Sequence, residues 1–174
     1  GCRAGAAEMP ARPAPLPAAL EAIGEADLIL LGPGSLYTSV IPNLLVGGIC
    51  EALKKSRAPK VLVCNVMTQP GETDGFGPAD HVREVCRYLG RVGLDYALIN
   101  KKAVKEQDIL RYRKDGAVQV LPGPGERERL KKAGIQAIFG DFVNVKYGYI
   151  RHDADAIARE IRKILRSRKL FKKI

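Results

Sequence analysis

Residues 26–51 (ADLILLGPGSLYTSVIPNLLVGGICE) limit the folds open to this chain more than any other stretch. The apolar run LILL is typical of a parallel strand that is buried on both faces. Gly32 and Gly34 break that strand, since glycine allows tight turns and close approach of a ligand. Thr38 and Ser39 are suitable caps for a helix over the apolar residues that follow. The order strand, glycine-rich turn, helix predicts an α/β fold with a ligand site beyond the strand's carboxyl end.

A second strand is predicted at residues 60–65 (KVLVCN), and the long polar loop VMTQPGETDGFGP follows it. Long loops in compact domains often carry function. If the two strands are neighbours, the loops GPGSLYTS and NVMTQPGETDG face each other across one cleft at the carboxyl ends. Free amides at a helix start favour phosphate there. Glycine spacing alone leaves phosphate binding and a plain tight turn equally open, because neither standard phosphate-loop pattern is present.

The rest of the chain alternates predicted strands and helices, which favours an α/β layer fold with a parallel sheet. Further strands are expected at residues 95–100, 117–121 and 135–145, the last interrupted by Gly140 and Asp141. Asp80 and Asp153 are suitable N-caps for two of the helices. The predicted helices cover residues 18–26, 81–93, 104–114, 127–133 and the segment after Asp153.

The net charge of +10 permits binding to nucleic acid or another anionic surface. Much of the excess lies in residues 159–174, which are predicted to form the solvated face and frayed end of a terminal helix. No apolar run approaches the roughly 20 residues that span a bilayer, so no membrane span is predicted. Cys50 and Cys64 lie in apolar surroundings and are predicted to be buried thiols of a cytoplasmic protein. Scattered cysteines and two histidines argue against zinc.

The two loops offer hydroxyls, amides and carboxylates suited to binding phosphates. Glu72 and Asp74 are either solvated charges, the favoured interpretation, or metal ligands. His81 is either a structural histidine, again favoured, or a general base. No Ser-His-Asp, Cys-His or HExxH arrangement is present, and no catalytic residue is assigned. The loop residues proposed to bind a ligand are Gly32, Gly34, Ser35, Thr38, Ser39, Asn65, Thr68, Gln69, Gly71, Glu72 and Thr73.

Three motifs carry a resemblance to a known family: GPGSLYTSVIPNLL, NVMTQPGETDGF followed by DHV, and RHDA near the end. Together they resemble the C-terminal half of the gluconeogenesis-factor (YvcK-like) proteins, which are grouped with the 2-phospho-L-lactate transferases in the CofD-like superfamily. The resemblance covers residues 15–165. Residues 1–14 are expected to be a disordered or extended lead-in, and residues 166–174 a basic tail. The GGGTG-type loop of the family's N-terminal half is absent from this sequence.

The resemblance implies a Rossmann-like three-layer fold and a regulatory protein that binds UDP-sugars in the cytoplasm. It favours a non-catalytic ligand-binding protein over an enzyme. Members of this branch act in central carbon metabolism, cell shape and envelope synthesis. The family associates a tyrosine and an arginine with sugar-nucleotide binding, and these fall on Tyr112 and Arg151. Tyrosine can stack on a base or sugar, and arginine can hold a diphosphate bidentately.

Two other functions stay open at this point. The first is a 2-phospho-L-lactate transferase of deazaflavin cofactor biosynthesis, which could use Mg²⁺ to position phosphates. No cofactor is assigned to the favoured binding function. The second is nucleic-acid binding, which the absence of any aromatic-basic motif makes the weakest candidate. Because a nucleotide crevice usually lies between two halves of a sheet, we also expect the chain to be an incomplete binding unit. Such a unit would be either marginally stable or self-associating, as a homo-oligomer, through an apolar edge.

Overall fold

The computed structural model describes residues 13–90 and 93–171. Strands and helices alternate along the chain, as the sequence predicts. The helices are α1 (Pro17–Glu25), α2 (Ile41–Leu45), α3 (Ile49–Lys55), α4 (Pro78–Leu89), α5 (Glu106–Lys114), α6 (Glu126–Lys132) and α7 (Ala154–Phe171), and a π-helical turn (Leu36–Val40) precedes α2. The strands are β1 (Ile29–Leu31), β2 (Lys60–Val63), β3 (Tyr96–Asn100), β4 (Gln136–Gly140), β5 (Val143–Lys146) and β6 (Tyr149–His152).

Four strands form one parallel sheet in the order β1-β2-β3-β4. Leu30 pairs with Val61 in the register of β1 and β2, and Leu62 pairs with Ala97 in that of β2 and β3. Since all four strands run the same way, the loops after β1 and β2 leave the sheet at the same edge. The predicted Rossmann-like α/β fold is confirmed.

Helices cover both faces of this sheet, which makes the domain a three-layer structure. On one face Leu62, Ala97 and Ile99 pack in a large core with residues of α2, α3, α4 and α6. On the other face Val61 and Val63 pack against α7. The β2 residues are all buried, so the strand is apolar on both sides for the reason that the sequence indicated.

The segment after β1 differs from its prediction as a single helix. A π-helical turn leads into the short helix α2, and α3 starts only after Gly47 and Gly48. Gly48 has a φ of +81°, a left-handed conformation that glycine adopts without strain. The prediction that Thr38 and Ser39 cap the helix is wrong, because helical geometry already begins at Leu36 and both residues lie inside the turn.

The strand predicted at residues 117–121 is also wrong. Gln119 makes only an isolated antiparallel bridge to Met67. Val118 exchanges hydrogen bonds with Thr68 instead, from the Thr68 amide to its carbonyl at 2.7 Å and from its own amide to Thr68 Oγ1 at 2.8 Å. The segment therefore supports the loop after β2 and does not join the sheet, in which β4 already occupies the place beside β3.

Residues 135–145 hold two strands in two different sheets. β4 completes the parallel sheet, and β5 pairs with β6 in an antiparallel hairpin that the sequence interpretation missed. The change of direction falls at Gly140 and Asp141, where the interruption was predicted. A Cβ on Gly140 would lie 2.5 Å from the Phe142 ring, so only glycine fits between the two strands. The turn of the hairpin uses Tyr147 and Gly148, both with positive φ.

Asp153 caps its helix as predicted, whereas the prediction of Asp80 as an N-cap is wrong, because α4 already begins after the N-cap Gly77. Asp153 Oδ1 accepts a hydrogen bond from the Ala156 amide at 2.9 Å, ahead of α7. Asp80 acts from inside the first turn of α4, where its Oδ2 accepts from the Gly77 amide at 2.9 Å. The lead-in up to residue 12 lies outside the described residues, whereas the predicted basic tail is helical as far as Phe171.

Among the described helices, none is by itself both long and apolar enough to cross a membrane, and one bent pair (Leu36–Leu45 with Ile49–Lys55, at 78°) meets a test of length and composition alone. Cys64 is buried, as predicted, and burial raises the pKa of its thiol to about 12. Cys50 is half-buried and donates a hydrogen bond to the Leu44 carbonyl at 3.1 Å.

Candidate functional site

The loops that follow β1 and β2 meet, as predicted. Gln69 Nε2 donates a hydrogen bond to Ser35 Oγ, which joins the two loops directly. Both loops leave the carboxyl ends of neighbouring parallel strands. Their contact forms one side of a cleft at that edge of the sheet.

The opposite side of the cleft comes from α5 and β6, which carry Tyr112 and Arg151, the two residues that the family resemblance added to the predicted site. The Ile150 amide donates a hydrogen bond to Tyr112 Oη at 2.9 Å and so ties the hairpin to α5. His152 Nε2 donates to the Cys64 carbonyl at 3.1 Å and ties β6 to the end of β2. Burial lowers the pKa of His152, which favours the neutral imidazole.

The cleft between these two sides has a volume of about 420 Å³. Polar and apolar groups from four separate segments of the chain share it, which is the usual composition of a small-molecule site. Its lining consists of Pro33, Gly34, Asn65, Val66, Met67, Thr68, Gln69, Tyr112, Ile150, Arg151 and His152. Six of the residues predicted to bind a ligand are therefore brought together: Gly34, Asn65, Thr68, Gln69, Tyr112 and Arg151.

The other predicted residues lie around the cleft and do not line it. Ser35 touches it only through Gln69. Gly32 and Ser39 line a neighbouring apolar groove of about 360 Å³ along β1. The remaining four are Thr38 and Gly71, which are exposed, Glu72, which is half-buried, and Thr73, which is buried.

Several of the loop hydroxyls and carboxylates hold the backbone in place. Thr73 Oγ1 accepts a hydrogen bond from the Gln69 amide at 2.8 Å, and Asp74 Oδ2 accepts from the Gly71 amide at 2.7 Å. Thr68 Oγ1 accepts from the Val118 amide. These side chains shape the loop and leave other groups to face a ligand.

Gln69 and Arg151 are the groups with unused bonding capacity in the cleft. Gln69 uses its Nε2 on Ser35, while its buried Oε1 has no partner among the described residues. Arg151 is exposed and forms no ion pair within the described part of the chain. A buried unpaired acceptor and a cation without a carboxylate partner together favour a ligand that carries both a hydrogen-bond donor and a negative charge.

Gly34 allows this close arrangement of the first loop. A Cβ at this position would lie 2.9 Å from the Ser39 Cβ, closer than real side-chain contacts allow. Any larger residue would push the loop out of place. The requirement for glycine here is therefore steric and lies in the cleft wall itself.

His81 does not line the cleft. It is 1% exposed, its Nδ1 lies 2.9 Å from the Gly77 carbonyl, and its ring packs edge-on against Phe76. Burial lowers the pKa of the imidazole. The structural interpretation of His81 fits these contacts better than a role as general base. In the described residues, no three His, Cys, Asp or Glu side chains are close enough together to hold a metal ion.

A larger concavity lies elsewhere, between α4 and α6. This α4–α6 groove has a volume of about 700 Å³ and runs to Leu94 and Ile135, which precede β3 and β4 at the amino ends of the sheet. Its cations are already paired. Arg83 and Arg129 both contact Asp80 Oδ1, at 2.8 and 2.7 Å.

Comparison with known proteins identifies the family. A sequence model of the family described as "2-phospho-L-lactate transferase CofD" matches residues 3–143. The chain belongs to the CofD family. Among CofD-family relatives, the putative gluconeogenesis factor of Clostridium acetobutylicum is 43% identical over 152 residues, 87% of this chain and 33% of the relative. The gluconeogenesis factor of Bacillus subtilis is 42% identical over 144 residues, 83% of this chain and 44% of the relative.

A solved structure supports the same assignment. The crystal structure of protein BH3568 from Bacillus halodurans matches with a TM-score of 0.80 at 42% identity, over 85% of this chain and 47% of that one. The chain thus spans less than half the length of these CofD-family proteins. The predicted resemblance to their C-terminal half is confirmed.

Sequence reasoning missed several lining residues of this CofD-family cleft. Pro33 lies inside the glycine-rich motif, and His152 is next to Arg151 in RHDA. Both residues could therefore have been predicted from the motifs. Ile150 was not, because β6 was not predicted. Alternation of polar and apolar residues around Tyr147-Gly148 is a hairpin signal that could have found it.

Proposed function

We propose that this chain binds a UDP-sugar in the cleft at the carboxyl ends of β1 and β2, as part of a gluconeogenesis factor. The observation that carries the proposal is the presence of Arg151 and Tyr112 in the same cleft. An unpaired guanidinium suits a diphosphate, and the tyrosine ring offers a face for a base or a sugar. The relatives named as gluconeogenesis factors support the wider role in central carbon metabolism.

The chemistry of the cleft fits such a ligand at both ends. Arg151 supplies positive charge at the mouth, and Gln69 Oε1 supplies an acceptor for a ring N–H or a sugar hydroxyl. Apolar side chains such as Met67 and Ile150 also line the cleft. The action on cell shape and the location in the cytoplasm stay predictions from the resemblance.

The test is isothermal titration calorimetry with UDP-N-acetylglucosamine and, separately, with GDP. We expect the uridine ligand to bind and GDP to bind at least about tenfold more weakly, a difference of about 1.4 kcal/mol. Equal binding of both would contradict selection of a uridine ligand. No binding of the uridine ligand, by a chain that is folded by circular dichroism, would contradict the proposal itself.

A second candidate function is phospholactyl transfer, because the matching family model is described as a 2-phospho-L-lactate transferase. In this reaction a hydroxyl of a deazaflavin acceptor would attack the phospholactyl phosphorus of a donor that joins phospholactate to a nucleotide through a diphosphate. A phosphodiester would form, and the P–O–P bond would break with a nucleoside monophosphate as the leaving group. Incubation with such a donor, the acceptor and Mg²⁺, followed by chromatography, distinguishes the two functions. Formation of the transferred product would favour the enzyme over the regulator.

The incomplete-unit hypothesis also stays a prediction. β1 is an edge strand, and Leu30 is 39% exposed there. Such an apolar edge promotes association, so we expect concentration-dependent self-association that Leu30→Lys reduces. Analytical ultracentrifugation measures it, with Leu110→Lys, at an exposed position on α5, as the control. A strictly monomeric chain would contradict the prediction.

A further inference from the structure

A second arginine lies beside the cleft and was not singled out by any motif. Arg111 of α5 places its Cζ 4.5 Å from the centroid of the Tyr149 ring. Arg151 of β6 places its Cζ 5.2 Å from the same centroid. One aromatic ring thus contacts two guanidinium groups, one of which belongs to the cleft lining.

The elements that carry this cluster are tied together. Tyr112, next to Arg111 on α5, accepts the hydrogen bond from the Ile150 amide between Tyr149 and Arg151. This bond fixes the turn of α5 that holds Arg111 against the strand that holds the other two residues. The side chains themselves are exposed at the surface.

Neither guanidinium in the cluster forms a close ion pair in the described part of the chain, although Asp115 acts on Arg111 from farther away. Within the described residues, no carboxylate oxygen lies within 4.0 Å of Arg111 or Arg151. Arg113, two positions along the same helix, pairs with Glu106. Both Cζ atoms lie within 5.2 Å of the same ring centroid, so one anion with several oxygens can reach both guanidinium groups.

Tyr149 compensates part of the repulsion between the two guanidinium groups. Its electron-rich ring face attracts both cations, and the nearby Arg111 lowers the pKa of its phenol. Both arginine side chains stay protonated at neutral pH. The cluster therefore presents two permanent positive charges at the mouth of the cleft.

We propose that Arg111 and Arg151 form a two-arginine subsite for the diphosphate of the ligand, with Tyr149 as the positioning residue between them. The inference rests on the proposed function for the identity of the nucleotide. Beyond that function, the inference assigns Arg111 as a second phosphate-binding cation. It also places the diphosphate at the end of the cleft where Arg151 lies. A diphosphate has non-bridging oxygens on two phosphorus atoms, so two planar guanidinium groups can each bind one phosphate bidentately.

The subsite predicts an affinity that depends on the number of phosphates. Arg111→Ala should weaken the binding of UDP and of UDP-N-acetylglucosamine by about tenfold, and that of UMP by only about two- to threefold, since one phosphate needs one arginine. Arg113→Ala is the matched control on the same helix and should stay within about twofold of the wild type for all three ligands. Calorimetry at fixed ionic strength gives these values.

Two further variants test the positioning role of Tyr149. Tyr149→Phe keeps the ring and should retain most of the affinity for UDP, whereas Tyr149→Leu should lose about three- to tenfold. Circular dichroism and thermal unfolding confirm that each variant is folded. Equal affinities of the phenylalanine, leucine and wild-type proteins would overturn the role of Tyr149.

Titration with inorganic pyrophosphate distinguishes failure of the two-arginine subsite from failure of the proposed function. If the wild type binds UDP-sugar and Arg111→Ala behaves like Arg113→Ala, the subsite is wrong and the function stands. If pyrophosphate binds in an Arg111-dependent way but uridine nucleotides do not, the subsite stands and the UDP-sugar proposal is wrong. If neither pyrophosphate nor a uridine nucleotide binds, both are overturned.

Discussion

The two concavities of this chain differ in size and in the state of their charges. The α4–α6 groove, of about 700 Å³, has its arginines paired with Asp80. The cleft at the carboxyl ends, of about 420 Å³, has an arginine without a carboxylate partner among the described residues and a buried glutamine oxygen without a hydrogen bond. Unused bonding capacity, more than volume, therefore distinguishes a place where a polar ligand can gain binding energy.

Among the variants that test this difference between the two concavities, Arg151→Ala in the cleft should change UDP-sugar affinity the most. Loss of a charge-assisted hydrogen bond to a phosphate should weaken UDP-sugar binding by about 1–3 kcal/mol, or about 5- to 150-fold. Calorimetry measures this change. Because Arg151 is exposed and unpaired, the free energy of unfolding should change by less than about 0.5 kcal/mol.

Arg83→Ala in the α4–α6 groove is the matched control. Arg83 loses its contact to Asp80, but Arg129 still neutralises that carboxylate at 2.7 Å. UDP-sugar affinity should not change. If Arg83→Ala weakened binding as much as Arg151→Ala, the distinction between the two concavities would fail.

The two regions should also differ in their response to pH. Burial lowers the pKa of His152 in the cleft, so below about pH 6.5 the unfolded chain takes up a proton that the folded chain does not. Stability is therefore lost as the pH falls from about 6.5 towards the folded pKa, by up to about 1.4 kcal/mol per pH unit for each such histidine.

His152→Gln should reduce this loss, as measured by urea unfolding at about pH 7.5 and 5.5. His81, whose pKa burial also lowers, contributes with the same sign in both proteins. In the groove, burial tends to raise the pKa of Asp80, but the Gly77 amide and the two arginines outweigh it and the pKa is lowered. That carboxylate therefore titrates below the usual range of an aspartate, and protonation there removes a negative charge, whereas protonation of His152 adds a positive one. An unchanged pH slope in His152→Gln would contradict the assignment.

A smaller effect is expected for Gln69→Leu in the cleft. The variant removes the acceptor offered to the ligand, and a neutral hydrogen bond contributes about 0.5–1.5 kcal/mol, so affinity should fall about 2- to 10-fold. Gln136→Leu, at the exposed start of β4, is the control and should bind as the wild type does. Wild-type affinity in Gln69→Leu would remove Gln69 from the site.

The parts of this structure that could be predicted are those set by local sequence. The apolar runs before Gly32 and Asn65 indicated β1 and β2, and the loops after them meet because both strands are parallel neighbours. The strand expected at residues 117–121 failed for a non-local reason, since Val118 bonds to the loop at Thr68. Periodicity alone cannot tell a strand in the sheet from a segment beside it.

The site could be predicted only in part, for a similar reason. Tyr112 and Arg151 entered through the family resemblance, and the structure now gives Tyr112 a contact that ties α5 to β6. Arg111 is one exposed cation among many in the sequence. Only its distance of 4.5 Å from Tyr149 sets it apart, and that distance depends on a hairpin that was not predicted.

Hydrogen exchange with and without UDP-N-acetylglucosamine compares both regions in a single measurement. We expect slower exchange on binding at residues 33–36, 65–69 and 149–152, which line or adjoin the cleft. We expect no change in exchange at residues 82–90 and 129–135 of the α4–α6 groove. Protection confined to the groove, with none in the three cleft segments, would contradict the central claim that the carboxyl-end cleft is the ligand site.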